Sequence, residues 1–220
     1  MTFTQSAKSI SVMKTPIKTL IACCLIGSFS PAFAASTVDL TVKGLIVPSA
    51  CTPSLSASTV DVGRVSVKDL NQEAETWLTP TTLQLGIDCE SATLFAMQTT
   101  DNRADSGSNF TAYGIGKTNL GERIGGYLMR LDKGVADGAA VTPITSFNNG
   151  ATWGSLLPEE NWQTNFIVSI RDPGATRVPV PAKNTAMELA VLPFILPAKN
   201  VTINEDTPID GSATIEVKYL

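Results

Sequence analysis

Histidine is absent from all 220 residues of the chain. That removes the commonest general base, the commonest metal ligand and the usual pH switch together, and it argues against most hydrolytic and zinc chemistry. Charge is sparse as well. Asp, Glu, Lys and Arg make up 16% of the residues and no basic run is present to neutralise phosphates, so nucleic acid is a poor partner. No apolar run reaches the ~20 residues that a membrane-spanning helix needs. Helical periodicity is scarce. The chain is nonetheless 43% hydrophobic, enough to fill a core, and its length suits one domain with a processing segment.

That processing segment stands at the start. Lys14 and Lys18 precede an apolar stretch from Thr19 to Phe29, followed by Ser30-Pro31 and the triplet Ala32-Phe33-Ala34. The pattern is that of a secretory signal peptide, with the small residues Ala32 and Ala34 placing cleavage after Ala34. Residues 1–34 are therefore read as signal and 35–220 as the mature domain, with Met13 as an alternative start. Leu20-Ile21-Ala22-Cys23 matches a lipoprotein cleavage box, but too few apolar residues separate it from Lys18. The expectation is export with no transmembrane segment after cleavage.

Cleavage removes three lysines and two cysteines, leaving 13 basic and 20 acidic residues, a net charge of −7. Only Cys51 and Cys89 remain. An even pair entering an oxidising compartment predicts one disulfide; two free or metal-binding thiols would lack other soft ligands nearby.

Period-two alternation dominates the mature chain. Val38, Leu40 and Val42 alternate with polar residues; so do Leu83, Leu85, Ile87 and Cys89. Short runs at Leu94–Met97, Tyr127–Leu131, Phe166–Ile170 and Met187–Leu192 add further strands. Asp137-Gly138, Asn149-Gly150 and Asp210-Gly211 supply turn chemistry. Residues 101–117 and 134–158 read as loops from their Gly, Ser, Asn and Asp content. Together these features indicate an all-β fold, an immunoglobulin-like antiparallel β-sandwich with one disulfide. The last segment alternates most cleanly, Ala213, Ile215, Val217 and Tyr219 on one face and Thr214, Glu216 and Lys218 on the other. A strand so near the end of the sequence has no later strand to cover it. Its second neighbour must come from the N-terminal part of the chain or from another chain.

Three stretches carry a family resemblance. Leu40-Thr41-Val42-Lys43-Gly44-Leu45-Ile46-Val47, followed by Cys51 and Val60-Asp61-Val62-Gly63, resembles the opening of subunits of the chaperone–usher fimbriae of Gram-negative bacteria. Leu83 to Cys89 is similar to the strand carrying their second cysteine, and Ala213 to Tyr219 to their closing strand with its penultimate Tyr. The resemblance implies an incomplete sandwich lacking its final strand. A periplasmic chaperone would supply that strand first, and the N-terminal extension of another fimbrial subunit would replace it at the outer-membrane usher. It assigns Ala213, Ile215, Val217 and Tyr219 to an acceptor groove, Val38, Leu40 and Val42 to a donor or first strand, and Cys51 and Cys89 to a clamp between the first and second strands. It places the protein in the periplasm in transit and then at the cell surface, with a host or surface glycan as a receptor. The short extension ahead of Gly44, the position of Gly211 and the unmatched middle from Thr100 to Pro181 point to a divergent branch, and to a minor, terminating or accessory subunit.

Other chemistry is thin. Gly114-Ile115-Gly116-Lys117-Thr118 is like the end of a phosphate-binding loop, but position 111 is Thr where a glycine is required. Asp101, Asn102 and Asp105 lack the closing bidentate Glu of a calcium loop. Glu159 and Glu160 are adjacent rather than opposed, and no Gly-x-Ser-x-Gly elbow is present. The reading is of a non-enzyme without cofactor or metal. Trp77, Trp153 and Trp162 are candidates for stacking on a sugar, with core packing expected for at least two. The alternative function is a self-complete periplasmic or secreted β-sandwich that captures a glycan or small ligand.

Overall fold

The computed structural model describes residue 41, residues 50–107 and residues 111–220. The chain divides into two units, Met1–Gly44 and Leu45–Leu220, and the fold below is that of the second. The expected cleavage residues Ala32 and Ala34 and the expected donor residues Val38, Leu40 and Val42 lie outside the described residues.

The described residues form eleven strands: β1 (Cys51–Leu55), β2 (Thr76–Trp77), β3 (Thr81–Thr93), β4 (Phe95–Asp101), β5 (Tyr113–Gly114), β6 (Gly125–Ala136), β7 (Ala139–Ser146), β8 (Gly154–Ser155), β9 (Ile167–Arg171), β10 (Ala182–Ile195) and β11 (Ala213–Tyr219). All pairings are antiparallel, and the main path runs β1-β3-β10-β6-β7-β9-β4-β11. β7 belongs to both sheets. Its Ala139–Val141 pair with β6, and its Thr142–Ser146 pair with β9. One continuous strand thus carries the chain from the first layer into the second. The all-β antiparallel class and the single disulfide stand as expected.

Alternation in the sequence becomes alternation in burial. Along β3, Leu83, Leu85, Ile87 and Cys89 are buried while Gln84 and Asp88 are exposed. Met187 and Leu189 of β10, Met129 and Leu131 of β6, Phe95 and Met97 of β4, and Val168 and Ile170 of β9 belong to the same core. Cys51 faces Cys89 directly in the β1–β3 register, and their sulfurs are bonded.

Two readings of the middle are corrected. Residues 134–158 are not a loop: they hold the end of β6, all of β7 and β8, and a two-residue hairpin turn in which Asp137 (φ 49°) and Gly138 (φ 84°) are both left-handed. That is the geometry the right-handed twist of the flanking strands favours. Residues 101–117 likewise contain the end of β4, a 3-10 turn at Ala104–Ser106 and β5. Asn149-Gly150 is left-handed as anticipated. Asp210-Gly211 is not; a Cβ on Gly211 would lie 2.9 Å from Tyr127 Cε1, so close approach explains this glycine.

Of the tryptophans, Trp162 is fully buried, Trp153 is half-buried and Trp77 remains 50% exposed. Core packing of two is therefore fully met by one.

Candidate functional site

The two ends of the strand path, β1 and β11, each have one paired neighbour among the described residues. β11 pairs with β4 over its whole length, from Ala213 opposite Asp101 to Tyr219 opposite Phe95, and β1 pairs with β3. Backbone N–H and C=O groups on the outer side of an edge strand remain available for another strand.

The four residues predicted as a groove wall do lie on one face of β11. Ala213, Ile215 and Val217 pack against the core yet stay half-buried, whereas the corresponding residues of the central strands are nearly sealed. Tyr219 is 38% exposed, and its Oη accepts a hydrogen bond of 2.9 Å from the backbone N–H of Cys51. The two edges therefore meet at the start of β1 and the end of β11. Val60, Val65, Ile203 and Ile209, from irregular stretches, also pack half-buried against this core. Val65, Ile203 and Ile209 were missed in the sequence because apolar residues in irregular chain carry no period, and Val60 entered only through the family resemblance.

The entry of β11 is held by the segment that follows β4. Asn102 N–H donates to Ser212 O (2.9 Å), and its Nδ2 donates to Ser212 Oγ (3.0 Å) and Thr214 Oγ1 (3.1 Å). Arg103 pairs with Asp210. Asp101 accepts from the backbone N–H of Arg103 (2.8 Å) and Gly114 (3.0 Å). The residues weighed as calcium ligands thus fix the loop and the start of β11. Lys117, weighed as part of a phosphate loop, forms an ion pair with Asp105 at 2.7 Å; the hydrogen bond from Lys117 holds the Asp105 carboxyl below its ordinary pKa. Glu159 and Glu160 are exposed, with Glu160 accepting from the N–H of Leu157 at 2.8 Å.

Thr99 of β4 belongs to a buried polar pair. The Tyr113 hydroxyl sits 2.6 Å from Thr99 Oγ1 and donates to Trp162 O at 2.9 Å, and the Tyr113 ring stacks on Tyr127 with centroids 5.1 Å apart. Burial pushes both phenol pKa values well above their ordinary value.

Two comparisons bear on this chain. The model of a family described as a protein of unknown function, DUF1120, matches residues 40–111, a stretch that includes β1 to β4 and both bonded cysteines. The uncharacterized protein YhcF of Escherichia coli (strain K12) is 29% identical over 225 residues, covering 86% of this chain and 93% of that protein. The chain is thus similar to YhcF along most of its length, and to the DUF1120 family through the strands that build the disulfide-bonded edge.

Proposed function

We propose that the chain is an exported structural and adhesion subunit that completes its sandwich with a strand taken from another chain, first from a periplasmic chaperone and then from a neighbouring fimbrial subunit at the usher. One observation carries this reading: β11 has a single paired neighbour among the described residues, and its core-facing Ile215 and Val217 are only half-buried. An inserted strand would add main-chain hydrogen bonds along the edge and place alternate apolar side chains over these residues. Burying one such side chain fully contributes about 1.5–3 kcal/mol, so three or four make an ordered complex. Val38, Leu40 and Val42 are the proposed donor residues, and the Gram-negative cell surface the proposed destination.

The test is to purify the mature chain with and without a co-expressed fimbrial chaperone and to titrate it with a peptide spanning residues 36–43. Co-purification with the chaperone, and a higher melting temperature in peptide, are expected. A cooperative monomer that ignores both rejects strand acceptance. That result would instead favour the second reading, a self-complete secreted glycan- or ligand-binding module, for which the exposed Trp77 speaks.

A further inference from the structure

We infer that Asn149 is a site of spontaneous covalent modification, losing its side-chain amide to become an aspartyl or isoaspartyl residue, and that the hydroxyl of Ser146 restrains the rate. Asn149-Gly150 is the one Asn-Gly step in the sequence, and it lies in the turn between β7 and β8. The attacking atom is the amide nitrogen of the following residue. With glycine there, no Cβ stands beside that nitrogen to obstruct the approach.

Three observations single out this step. First, Asn149 is exposed and left-handed (φ 54°), and its side chain has no hydrogen-bond partner among the described residues. Its Cγ therefore swings toward the next nitrogen without breaking a bond. Neighbouring Asn148 is the opposite case: its Oδ1 accepts from Ser146 Oγ and from the N–H of Thr152, both at 2.9 Å, and its Nδ2 donates to Thr152 Oγ1 at 2.9 Å. Second, the two Asp-Gly steps, which reach the same ring by loss of water from a protonated carboxyl, are both tied down. The Asp137 carboxylate accepts from the N–H groups of Lys183 (2.9 Å) and Asn184 (2.8 Å), which hold its pKa below the ordinary value, and Asp210 is paired with Arg103. Third, the N–H of Gly150 donates to Ser146 Oγ at 2.9 Å, and Ser146 is almost fully buried. The nitrogen must shed that bond, as well as its proton, before it attacks.

The chemistry needs only water and hydroxide. Hydroxide removes the Gly150 amide proton, the nitrogen forms a bond to Asn149 Cγ, and the Cγ–Nδ2 bond breaks. Nδ2 takes up a proton and leaves as ammonia, and a five-membered succinimide remains. Water then opens the ring at either carbonyl and returns a proton to the nitrogen. Opening at Cγ gives aspartate on the original backbone; opening at the Asn149 carbonyl carbon gives an isoaspartyl link that runs the backbone through the former side chain. In sum one water is taken up and one ammonia released.

The product matters to its surroundings. A Cβ placed on Gly150 would lie 3.4 Å from Leu220 Cδ2 and 3.5 Å from Trp153 Cζ2, so the backbone that is rerouted touches the residue after β11 and a half-buried indole. Either product also adds a negative charge to this turn. The inference goes beyond strand acceptance and does not depend on it.

The experiment incubates the purified chain in mildly alkaline buffer and follows it by peptide mapping with tandem mass spectrometry. Asn149 is expected to convert before every other asparagine, to a mixture of aspartyl and isoaspartyl forms, faster as pH rises. Ser146→Ala should speed the conversion about two- to tenfold, the factor that corresponds to one net hydrogen bond. Should Ser146→Ala fail to fold, native and urea-unfolded wild type are compared, because unfolding releases the same restraint: the native chain should convert more slowly by at least that factor, yet measurably. Conversion of another asparagine first, an Asn149 that stays intact in the native chain while the unfolded chain reacts, or a rate unchanged or lowered in a folded Ser146→Ala variant overturns the proposal. None of these readouts involves the donor peptide or the chaperone, so failure here is distinct from failure of strand acceptance.

Discussion

Tyr219 Oη holds the amide of Cys51, so the last residue of β11 secures the first residue of β1. The bond is exposed, which puts it toward the low end of the ~0.5–1.5 kcal/mol typical of a net intramolecular hydrogen bond. Tyr219→Phe should therefore lower the melting temperature by about 2–4 °C per kcal/mol lost, as thermal denaturation would show. An unchanged melt would mean that water replaces the hydroxyl at no cost.

The disulfide closes a separation of 38 residues. In the chain-entropy picture this contributes roughly 3–4 kcal/mol, through the unfolded state. The double substitution Cys51→Ala with Cys89→Ala should lower the denaturant midpoint accordingly, and reduction of the wild-type chain should do the same.

Alkali should unfold the domain through Tyr113 and Tyr127. Both phenols have a folded pKa raised above the ordinary 10.0, with burial as the main cause. Their contribution to stability is present in full below about pH 10 and is lost as pH climbs through the folded values. Tyrosinate absorbance measured between about pH 10 and 11 should be lower for the native chain than for the urea-unfolded chain. Equal titration curves would contradict the burial of the pair.

Gly114 leaves no room for a methyl group. A Cβ there would run into the carbonyl oxygen of Arg103 and lie 2.7 Å from the nitrogen of Gly107, both backbone atoms that move only with the loop. Gly114→Ala should cost about 1–3 kcal/mol or more. Gly174→Ala, where the nearest atom is Asp172 Oδ1 at 3.6 Å, should be nearly neutral. Chemical denaturation of the two variants side by side tests the contrast.

Strands whose two faces differ were legible in advance. The alternation from Ala213 to Tyr219 coincides with β11, and that from Leu83 to Cys89 lies within β3. The turn at Asp137-Gly138 followed from its dipeptide, although the strand segments it joins did not. β7 was hidden for a physical reason: it contains Pro143, Thr142, Thr145 and Ser146 and pairs into both sheets, so several successive residues are buried and no period of two survives. The face lined by Thr82, Arg130 and Glu188 was hidden differently: these residues share no sequence spacing, and only the antiparallel register of β3, β6 and β10 brings them together.

The position of the Cys51–Cys89 bond has a mechanical consequence. It joins the first residue of β1 to the middle of a thirteen-residue strand that is bonded on both flanks. Tension entering from the residues before Cys51 passes through sulfur into β3, bypassing the five-residue ladder of β1. Peeling of that weak ribbon from its leading end is therefore barred, and β1 is not the first strand to yield when the chain is pulled from that side.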